Sequence, residues 1–269
     1  MPFHSTVRLC AILILFAVIA WPALALETPA RQAFLIDDNT GTILFEKNAD
    51  ERMPPSSMSK IMTVNMVFER LAEGSLKLDD TLPVSETAWR KTGSKMFVEL
   101  GSRITVEDLL RGVIVQSGND ATIVIAEGLA GDEAAFAAAM TERARELGLD
   151  SSTFRNASGW PDEFHLTTAR DLARLARLTI HDFPQYYSYY SETSFTYNGI
   201  RQGNRNPLLY KNIGADGLKT GHTSAAGYGL TVSTVRDGRR LILVLNGLET
   251  SGQRSREADP LSHAPGELR

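Results

Sequence analysis

The chain has 269 residues, of which 43% are apolar and 22% charged, and its formal net charge is −4 at pH 7. This length suits one large domain or two modest ones, and the composition is that of an ordinary globular protein. The mildly acidic balance argues against nucleic acid as a partner. The single cysteine, Cys10, lies near the N-terminus, so the rest of the chain depends on neither a disulfide nor a cysteine nucleophile.

The first 25 residues have the pattern of a secretory signal peptide. Arg8 precedes an apolar run at residues 9–20, and the small-residue pattern Ala23-Leu24-Ala25 follows. The alternative is a membrane anchor, but the run is shorter than the roughly 20 residues that a spanning helix needs. We therefore expect cleavage after Ala25 and export to a periplasm or cell-wall space. Cleavage would remove one arginine and no acidic residue, which changes the formal charge to −5.

Residues 27–258 are predicted to form one domain that begins with a hairpin. Apolar residues 33–37 and 42–46 flank the sequence Asp38-Asn39-Thr40-Gly41, which is typical of a β-turn. The run from Met58 to Leu71 has no glycine or proline and carries apolar residues at helical spacing. It predicts a largely buried helix whose first turn lies at the surface of a cleft.

The middle of the chain is predicted to be helical. Helices are expected over residues 105–116, 120–130 and 132–147, and from residue 168 onward. Thr105, Asp132 and Thr168 stand where N-cap residues are preferred. A long loop is expected at residues 151–166, which contain Gly159-Trp160-Pro161.

The last third of the domain is predicted to be rich in strands. The expected strands are residues 193–197, 217–221, 227–235 and 240–246. Asp237-Gly238 is expected to form the hairpin turn between strands 227–235 and 240–246. Strands at both ends with helices between them indicate a mostly antiparallel sheet whose edge pair comes from the N-terminus. The predicted fold class is therefore α/β of the α+β type, with the sheet flanked by helices.

Ser57-Met58-Ser59-Lys60 is the first of three short motifs that can carry chemistry. In a helix, Ser57 and Lys60 share one face, with Cβ atoms about 5–6 Å apart. A serine hydroxyl becomes nucleophilic when a base removes its proton, and a lysine can be that base if burial or nearby cations lower its pKa. Ser56 and Ser59 compete as nucleophiles, but only Ser57 has a lysine three residues later. A capping serine beside a surface lysine is the non-catalytic alternative.

The second motif, Ser117-Gly118-Asn119, lies between two predicted helices. A hydroxyl in such a turn can relay a proton to a leaving amine, and the amide of Asn119 can both donate to and accept from a substrate peptide bond. The alternative is a simple helix N-cap.

The third motif, Lys219-Thr220-Gly221, lies on a predicted strand. The edge of that strand can pair with an extended substrate, Lys219 and Thr220 can hold a carboxylate, and Gly221 allows a close approach to the backbone. The alternative is an edge strand that its lysine protects from aggregation.

Taken together and in this order, the motifs resemble those of penicillin-recognising serine enzymes. The chain is more closely similar to the D-alanyl-D-alanine carboxypeptidases among the low-molecular-mass penicillin-binding proteins. Five segments carry this resemblance: Asp37-x-x-Thr40-Gly41 and residues 55–63, 117–121, 204–209 and 216–223. The resemblance covers roughly residues 30–258 and implies the β-lactamase/DD-peptidase-like fold.

The resemblance implies a role for each polar residue of the first two motifs. Ser57 would form an acyl-enzyme, and Lys60 would be the base for acylation and would activate water for deacylation. Ser117 would shuttle a proton, and Asn119 would orient the substrate.

The resemblance also implies how the substrate would be held. Lys219 and Thr220 would anchor its end, beside Gly221. The backbone N–H groups of Ser57 and His222 would form the oxyanion hole. Family members use an arginine after the last strand to hold the terminal carboxylate. Arg254 fits best by its distance from Lys219, and Arg256 is the alternative.

The activity implied is that of a serine-type D-Ala-D-Ala carboxypeptidase, a hydrolase of cell-wall biogenesis. Its substrates would be peptidoglycan stem peptides that end in D-Ala-D-Ala, and β-lactam antibiotics would inhibit it. No cofactor is implied, and the histidines at positions 165, 181, 222 and 263 lack the spacing of metal ligands.

The end of the sequence departs from the family pattern, in which a helix packs on the sheet after the last strand. Residues 259–269 contain Pro260, Pro265 and Gly266, which predict an irregular tail instead. We therefore expect one face of the sheet to be partly uncovered and no C-terminal membrane anchor. A naturally short family member and a truncated or frame-shifted gene are the two explanations.

Three other functions remain open at the level of sequence. A D-alanyl endopeptidase and a β-lactamase share the motifs, and Glu163 stands in a loop suited to the deacylating glutamate of one β-lactamase class. A damaged enzyme that binds cell-wall peptide or penicillin without turnover is the non-catalytic alternative.

Overall fold

The computed structural model of the protein describes residues 27–258. The predicted signal peptide and the predicted irregular tail lie outside these residues. Strands occupy the following ranges: β1 (Gln32–Asp37), β2 (Ile43–Lys47), β3 (Thr81–Pro83), β4 (Arg103–Thr105), β5 (Ser194–Tyr197), β6 (Ile200–Gly203), β7 (Ala215–Thr223), β8 (Gly227–Arg236) and β9 (Arg239–Leu248). Helices occupy these ranges: α1 (Lys60–Ala72), α2 (Glu86–Arg90), α3 (Val106–Ile114), α4 (Asn119–Ala130), α5 (Glu133–Glu146), α6 (Ala169–Asp182), α7 (Pro184–Tyr187) and α8 (Ser251–Glu257).

A five-stranded antiparallel sheet in the order β2-β1-β9-β8-β7 forms the centre of the fold. The predicted edge pair from the N-terminus is confirmed, because β1 lies between β2 and β9, with Leu35 opposite both Phe45 and Leu243. The predicted fold class is confirmed as well. The other edge is β7, the strand that carries Lys219-Thr220-Gly221.

The sheet separates two apolar cores because successive side chains of a strand point to opposite faces. Phe34 and Ile36 belong to the larger core, which also contains most of the buried side chains of α1, α3, α4 and α6. Ala33 and Leu35 belong to the smaller core on the other face. All six residues of β1 are therefore buried.

Side-chain caps fix the starts of three predicted helices. Thr105 accepts from the N–H of Asp108 at 3.2 Å, Asp132 from that of Ala135 at 2.7 Å, and Thr168 from that of Asp171 at 3.0 Å. Each cap contributes about 1 kcal/mol to stability. The three predicted N-caps are confirmed.

Two elements differ from expectation. The predicted strand at residues 193–197 is β5, but it pairs with β6 in a separate hairpin instead of joining the large sheet.

After β9 the chain forms α8, a helix that was not predicted from the sequence. Thr250 caps it by accepting from the N–H of Gln253 at 3.0 Å, and Ala258 just beyond it is fully buried in the smaller core. The expectation of an uncovered sheet face is therefore wrong where α8 packs.

None of the helices within residues 27–258 combines the length and the apolar character that crossing a membrane requires.

Candidate active site

Ser57 and Lys60 meet at the start of α1. The predicted helix begins there with a 3₁₀ turn, Ser56–Ser59, before the α-helical part starts at Lys60. Side chains at i and i+3 eclipse in 3₁₀ geometry, and the Nζ of Lys60 lies 2.8 Å from the Oγ of Ser57.

Only one of the three neighbouring serines contacts the amine. The hydroxyl of Ser59 donates to the carbonyl oxygen of Ser56 at 2.9 Å, and the hydroxyl of Ser56 lies 3.4 Å from that of Thr223. The geometry therefore favours Ser57 over both competitors.

The amine of Lys60 is completely buried, with 0% of the residue exposed. Besides Ser57, it contacts the Oδ1 of Asn119 at 2.8 Å and the carbonyl oxygen of Ser158 at 2.6 Å. Burial, assisted by the positive charges of Arg205 and Lys91, lowers the pKa of Lys60 to about 7. A surface lysine, the alternative drawn from the sequence, is wrong for this residue.

The loop at residues 151–166 supplies the third acceptor for that amine. Asn156 Oδ1 accepts from the backbone N–H groups of Ser158, Gly159 and Trp160 at 3.2, 2.8 and 2.9 Å, which curls the loop into a compact turn. Thr63 of α1 donates to the carbonyl oxygen of Ala157 at 2.7 Å and ties this turn to the helix.

Ser117 lies in the short connection between α3 and α4, and Asn119 is the first residue of α4. Ser117 is 2% exposed and has a positive φ of 64°, and Gly118 is the N-cap of α4 with no side-chain cap hydrogen bond. The motif therefore does begin a helix, as the alternative expects, but the hydroxyl of Ser117 does not cap it. The amide of Asn119 accepts from Lys60 and donates to the carbonyl oxygen of Thr92 at 2.9 Å, so its orientation is fixed.

On β7, Lys219 is 2% exposed and donates to the carbonyl oxygen of Thr220 at 3.1 Å. Burial, together with the positive charges of Lys60, Arg205 and Arg254, holds the pKa of Lys219 well below its usual range. A protective lysine on a solvent-facing edge, the sequence-based alternative, does not describe this residue.

Gly221 has a packing role that the sequence did not reveal. A Cβ built there would lie 2.9 Å from the carbonyl oxygen of Pro55 and 3.0 Å from the Cβ of Ser56. The missing side chain therefore lets β7 approach the turn that carries Ser57.

A cavity of about 280 Å³ brings the three motifs together. It is lined by Ser57, Ser94, Ser117, Arg205, Thr220, Gly221, His222, Tyr228 and Arg254. A neighbouring cavity of about 310 Å³ shares Ser57, Ser94 and His222 with it and extends along Asn119, Ser158 and Trp160. We call the two together the cleft.

Arg254 and Arg256, the two candidates for binding the terminal carboxylate of the substrate, differ in position. Arg254 lines the cleft, lies over the ring of Tyr228 at 5.7 Å, and has a buried Nε without a hydrogen-bond partner in the described part of the chain. Burial lowers the pKa of Arg254 from its ordinary value. Arg256, on the same helix α8, is exposed and does not line the cleft.

The imidazole of His222 is exposed and stacks on Tyr228, with ring centroids 4.0 Å apart. It therefore borders the cleft beside Tyr228 and Arg254.

Several residues that line the cleft had no role predicted from the sequence, among them Ser94, Ser158, Arg205 and Tyr228. Arg205 stands in a segment that already carried the resemblance, and its neighbours hold it in place. Asn204 Oδ1 accepts from the N–H of Asn206 at 2.9 Å, and Asn206 donates to the carbonyl oxygen of Gly217 at 3.1 Å. The sequence Asn204-Arg205-Asn206 was the signal that could have identified Arg205, because asparagines often bind backbone groups and so fix the residue between them.

Glu163 lies apart from the nucleophile. It is exposed and lines a separate pocket with Ser56, Trp160 and His165, and it lines neither cavity that contains Ser57. This position does not favour the β-lactamase alternative. Within residues 27–258, no three His, Cys, Asp or Glu side chains group closely enough to hold a metal ion.

The family model for D-alanyl-D-alanine carboxypeptidases of the peptidase S11 type matches residues 20–250. The chain belongs to this family. D-alanyl-D-alanine carboxypeptidase DacC of Escherichia coli K12 is 41% identical over 262 residues, which cover 93% of this chain and 66% of that protein.

Solved structures show the same fold. The D-alanyl-D-alanine carboxypeptidase DacD of Francisella tularensis matches with a TM-score of 0.88 and 34% identity, over 90% of this chain and 72% of that one. Penicillin-binding protein D2 of Listeria monocytogenes, solved in its cefotaxime-bound form, matches with a TM-score of 0.80 and 30% identity, over 88% of this chain and 96% of that one. The chain spans between 60% and 66% of the length of the first curated carboxypeptidases it matches.

Proposed function

We propose that this family member is a serine-type D-Ala-D-Ala carboxypeptidase that removes the terminal D-Ala from peptidoglycan stem peptides. The contact between the Nζ of Lys60 and the Oγ of Ser57, 2.8 Å long, carries this proposal, because the pKa of that amine is lowered to about 7. A pKa in this range allows a free amine to stand next to the nucleophile at neutral pH. The names of the relatives support the same activity.

In acylation, the free amine of Lys60 takes the proton of Ser57 while Oγ attacks the carbonyl carbon of the penultimate D-Ala. The negative charge that develops on the carbonyl oxygen would be held by the N–H groups of Ser57 and His222. The C–N bond then breaks, and the leaving amine of the terminal D-Ala takes a proton through the hydroxyl of Ser117, which would draw it from Lys60. An acyl-enzyme on Ser57, free D-Ala and a neutral Lys60 result.

In deacylation, Lys60 takes a proton from a water molecule that attacks the ester carbonyl. The ester bond breaks, and the proton returns to Oγ of Ser57. Asn119 and the carbonyl oxygen of Ser158 keep the amine in position through both half-reactions, at 2.8 and 2.6 Å.

The cationic end of the cleft would select a substrate with a free terminal carboxylate. Arg254 and Arg205 line this end with Thr220, and Lys219 lies buried beside them on β7. The buried Nε of Arg254 has no partner within residues 27–258, and an unpaired buried donor is costly. A bound carboxylate would supply the missing acceptor, and charge-assisted hydrogen bonds of this kind are the strong ones.

The same nucleophile would be acylated by β-lactam antibiotics, as the cefotaxime-bound relative suggests. We expect such an enzyme to work in the periplasm or cell-wall space, and the signal-like pattern at residues 1–25 supports this expectation.

The decisive experiment compares the wild-type protein with Ser57→Ala on a peptide that ends in D-Ala-D-Ala and assays free D-Ala. Release by the wild type that disappears in the variant supports both the activity and the nucleophile. Acylation by labelled penicillin without release of D-Ala would instead indicate a protein that binds without turnover. No release and no acylation by the folded protein would overturn the proposal.

A further inference from the structure

The segment at residues 92–98, which we call the cleft loop, forms part of the wall of the cleft. Gly93 lines one of its two cavities, and Ser94 lines both. The cleft loop belongs to no helix and no strand. Its backbone N–H and C=O groups therefore need partners outside regular secondary structure, and those partners decide where the loop lies.

The carboxylate of Asp120 binds the second half of the cleft loop. Its Oδ1 accepts from the N–H of Met96 at 2.9 Å, and its Oδ2 accepts from the N–H groups of Phe97 and Val98 at 2.9 and 3.2 Å. The Oδ1 also accepts from the N–H of Ala121 at 3.0 Å. Asp120 is completely buried, with 0% of the residue exposed. All four partners are donors, so they fit the ionised carboxylate, which only accepts.

The packing of the cleft loop makes this carboxylate necessary. The side chains of Met96 and Val98 are buried in the larger core, which brings the backbone of the loop close to the interior. Phe97 between them has a positive φ of 70° and is 48% exposed. Such a conformation costs about 1–3 kcal/mol in a residue other than glycine. Without Asp120, three donors would lose their acceptor, and an unpaired buried donor is costly.

Asn119 binds the first half of the same loop. Its backbone N–H donates to the carbonyl oxygen of Ser94 at 2.7 Å, and its side-chain amide donates to that of Thr92 at 2.9 Å. The same amide accepts from the Nζ of Lys60 at 2.8 Å. Two consecutive residues at the start of α4 thus hold both halves of the cleft loop, and a displacement of the loop reaches Lys60 through one amide group.

We propose that Asp120 is a positioning residue for the reaction at Ser57. Its carboxylate keeps the cleft loop against α4, so that Ser94 stays in the wall of the cleft and the amide of Asn119 holds the amine of Lys60. Asp120 lines neither cavity of the cleft and therefore acts through these residues. This inference rests on the proposed function for the chemistry at Ser57.

The first test is Asp120→Asn, which keeps the size of the side chain but turns one acceptor oxygen into a donor. We expect acylation by labelled penicillin and the kcat/KM for D-Ala release to fall about tenfold to a hundredfold, because small displacements of reacting groups are costly. A folded Asp120→Asn protein with wild-type rates overturns the inference and leaves the proposed function intact.

Ile242→Val is the control for a general loss of stability. Ile242 lies on β9, is completely buried in the larger core and lines neither cavity of the cleft. The substitution should cost about 0.5–1.5-fold of a kilocalorie per mole in unfolding, as is usual for this exchange, while the rate of acylation stays at the wild-type value. Equal slowing in Ile242→Val and Asp120→Asn would attribute the effect to stability and overturn the inference.

A relocated carboxylate provides a rescue that a merely structural role does not predict. A Cβ built at Gly118 would lie 2.9 Å from the Oδ1 of Asp120 and 3.1 Å from the backbone nitrogen of Met96. Gly118 has a φ of −58°, which other residues adopt without strain. A carboxylate at position 118 can therefore reach the same N–H groups once the side chain of Asp120 is removed.

The rescue compares two double variants, Asp120→Ala with Gly118→Asp and Asp120→Ala with Gly118→Asn. The first should be acylated by penicillin about tenfold faster than the second, since coupled neighbouring positions typically interact with about 0.5–3 kcal/mol. Equal rates in the two double variants would show that a carboxylate does not position the loop, and would overturn the inference.

If the wild type neither releases D-Ala nor is acylated, the proposed function has failed, and hydrogen exchange decides about Asp120. The amide protons of residues 96–98 are then followed in the wild type and in Asp120→Asn. Faster exchange confined to the cleft loop of the variant supports the positioning role. Exchange that is unchanged, or accelerated equally in all segments, overturns it.

Discussion

Two opposing effects act on the amine of Lys60. Three acceptors surround it, those of Ser57, Asn119 and Ser158, and this number matches the three N–H groups of the charged form. Complete burial disfavours the same charged form and is the larger effect, so the pKa falls to about 7. The neutral form has two N–H groups for these three oxygens, which leaves a lone pair that can accept the proton of Ser57.

The pH dependence of kcat/KM tests this balance. Because the base must be unprotonated and its pKa is lowered, activity should be low in acid and rise through about pH 7 to a plateau. Lys60→Arg should lose at least about a hundredfold in kcat/KM, because a guanidinium does not give up its proton. The measurement is the rate of D-Ala release between pH 5 and 9, with thermal unfolding as the check on folding. A wild-type rate that does not change over this range would contradict the role of Lys60.

The lowered pKa of Lys219 links substrate binding to proton uptake. Burial and neighbouring cations disfavour its ammonium form, whereas a bound carboxylate would favour it and so raise the pKa. We expect the Ser57→Ala protein to take up protons when it binds a peptide that ends in D-Ala-D-Ala, at the pH values where the amine of Lys219 is free. Calorimetry in two buffers of different ionisation enthalpy measures this uptake. The same peptide with a C-terminal amide is the control, and equal uptake with both peptides would refute the link.

At the scale of elements, the site depends on how closely β7 packs against the 3₁₀ turn. Gly221 on the strand meets Pro55 and Ser56, and Gly159 in the loop meets the same turn, since a Cβ there would lie within 2.6 Å of the hydroxyl of Ser59. Two glycines from distant parts of the chain thus allow backbone to approach the nucleophile turn from two sides. Small residues at these points set the position of Ser57 relative to β7.

Gly221→Ala should therefore move the strand and the turn apart. We expect a loss of about 1–3 kcal/mol in the free energy of unfolding and about a hundredfold slower acylation, because small displacements of reacting groups are costly. Gly203→Ala on β6 is the control, since a Cβ there meets only the hydroxyl of Tyr210 at 3.4 Å. Denaturant unfolding and the rate of acylation by penicillin are the two measurements. An unchanged acylation rate in Gly221→Ala would show that the close contact is not needed.

Elements whose signals lie within a few residues could be predicted from the sequence. The caps Thr105, Asp132 and Thr168 each bind an N–H three residues on, so their helices were found. Of the hairpin formed by β5 and β6, only β5 was predicted, although Asn198-Gly199 between the two strands is a strong turn signal. Helix α8 has seven residues, and none of them is buried. Its sequence therefore lacks the apolar periodicity from which a helix can be predicted.

At the scale of the whole molecule, the cleft is assembled from segments far apart in the chain. The motif residues could be found because each motif is local and their order is distinctive. Arg205, Tyr228 and Ser158 could not, because their relation to Lys60 exists only once the sheet, the 151–166 loop and α1 have packed together. Even Arg254 was found by its spacing from Lys219 rather than by the helix that carries it.

Within residues 27–258, strands from both ends of the segment pair in one sheet, and two apolar cores pack on its faces. We therefore expect a chain limited to residues 27–258 to fold as one domain. The sheet should make its unfolding cooperative, because β1, from the start of this segment, lies between β2 and β9, from near its end. The measurements are the thermal transition and the rate of acylation by labelled penicillin, each compared with the longer protein that starts at the same residue and runs to Arg269. We expect a single thermal transition whose midpoint lies within a few degrees of that of the longer protein. The acylation rates of the two proteins should agree within twofold. A broad or divided transition, or acylation more than tenfold slower, would show that the domain needs residues 259–269.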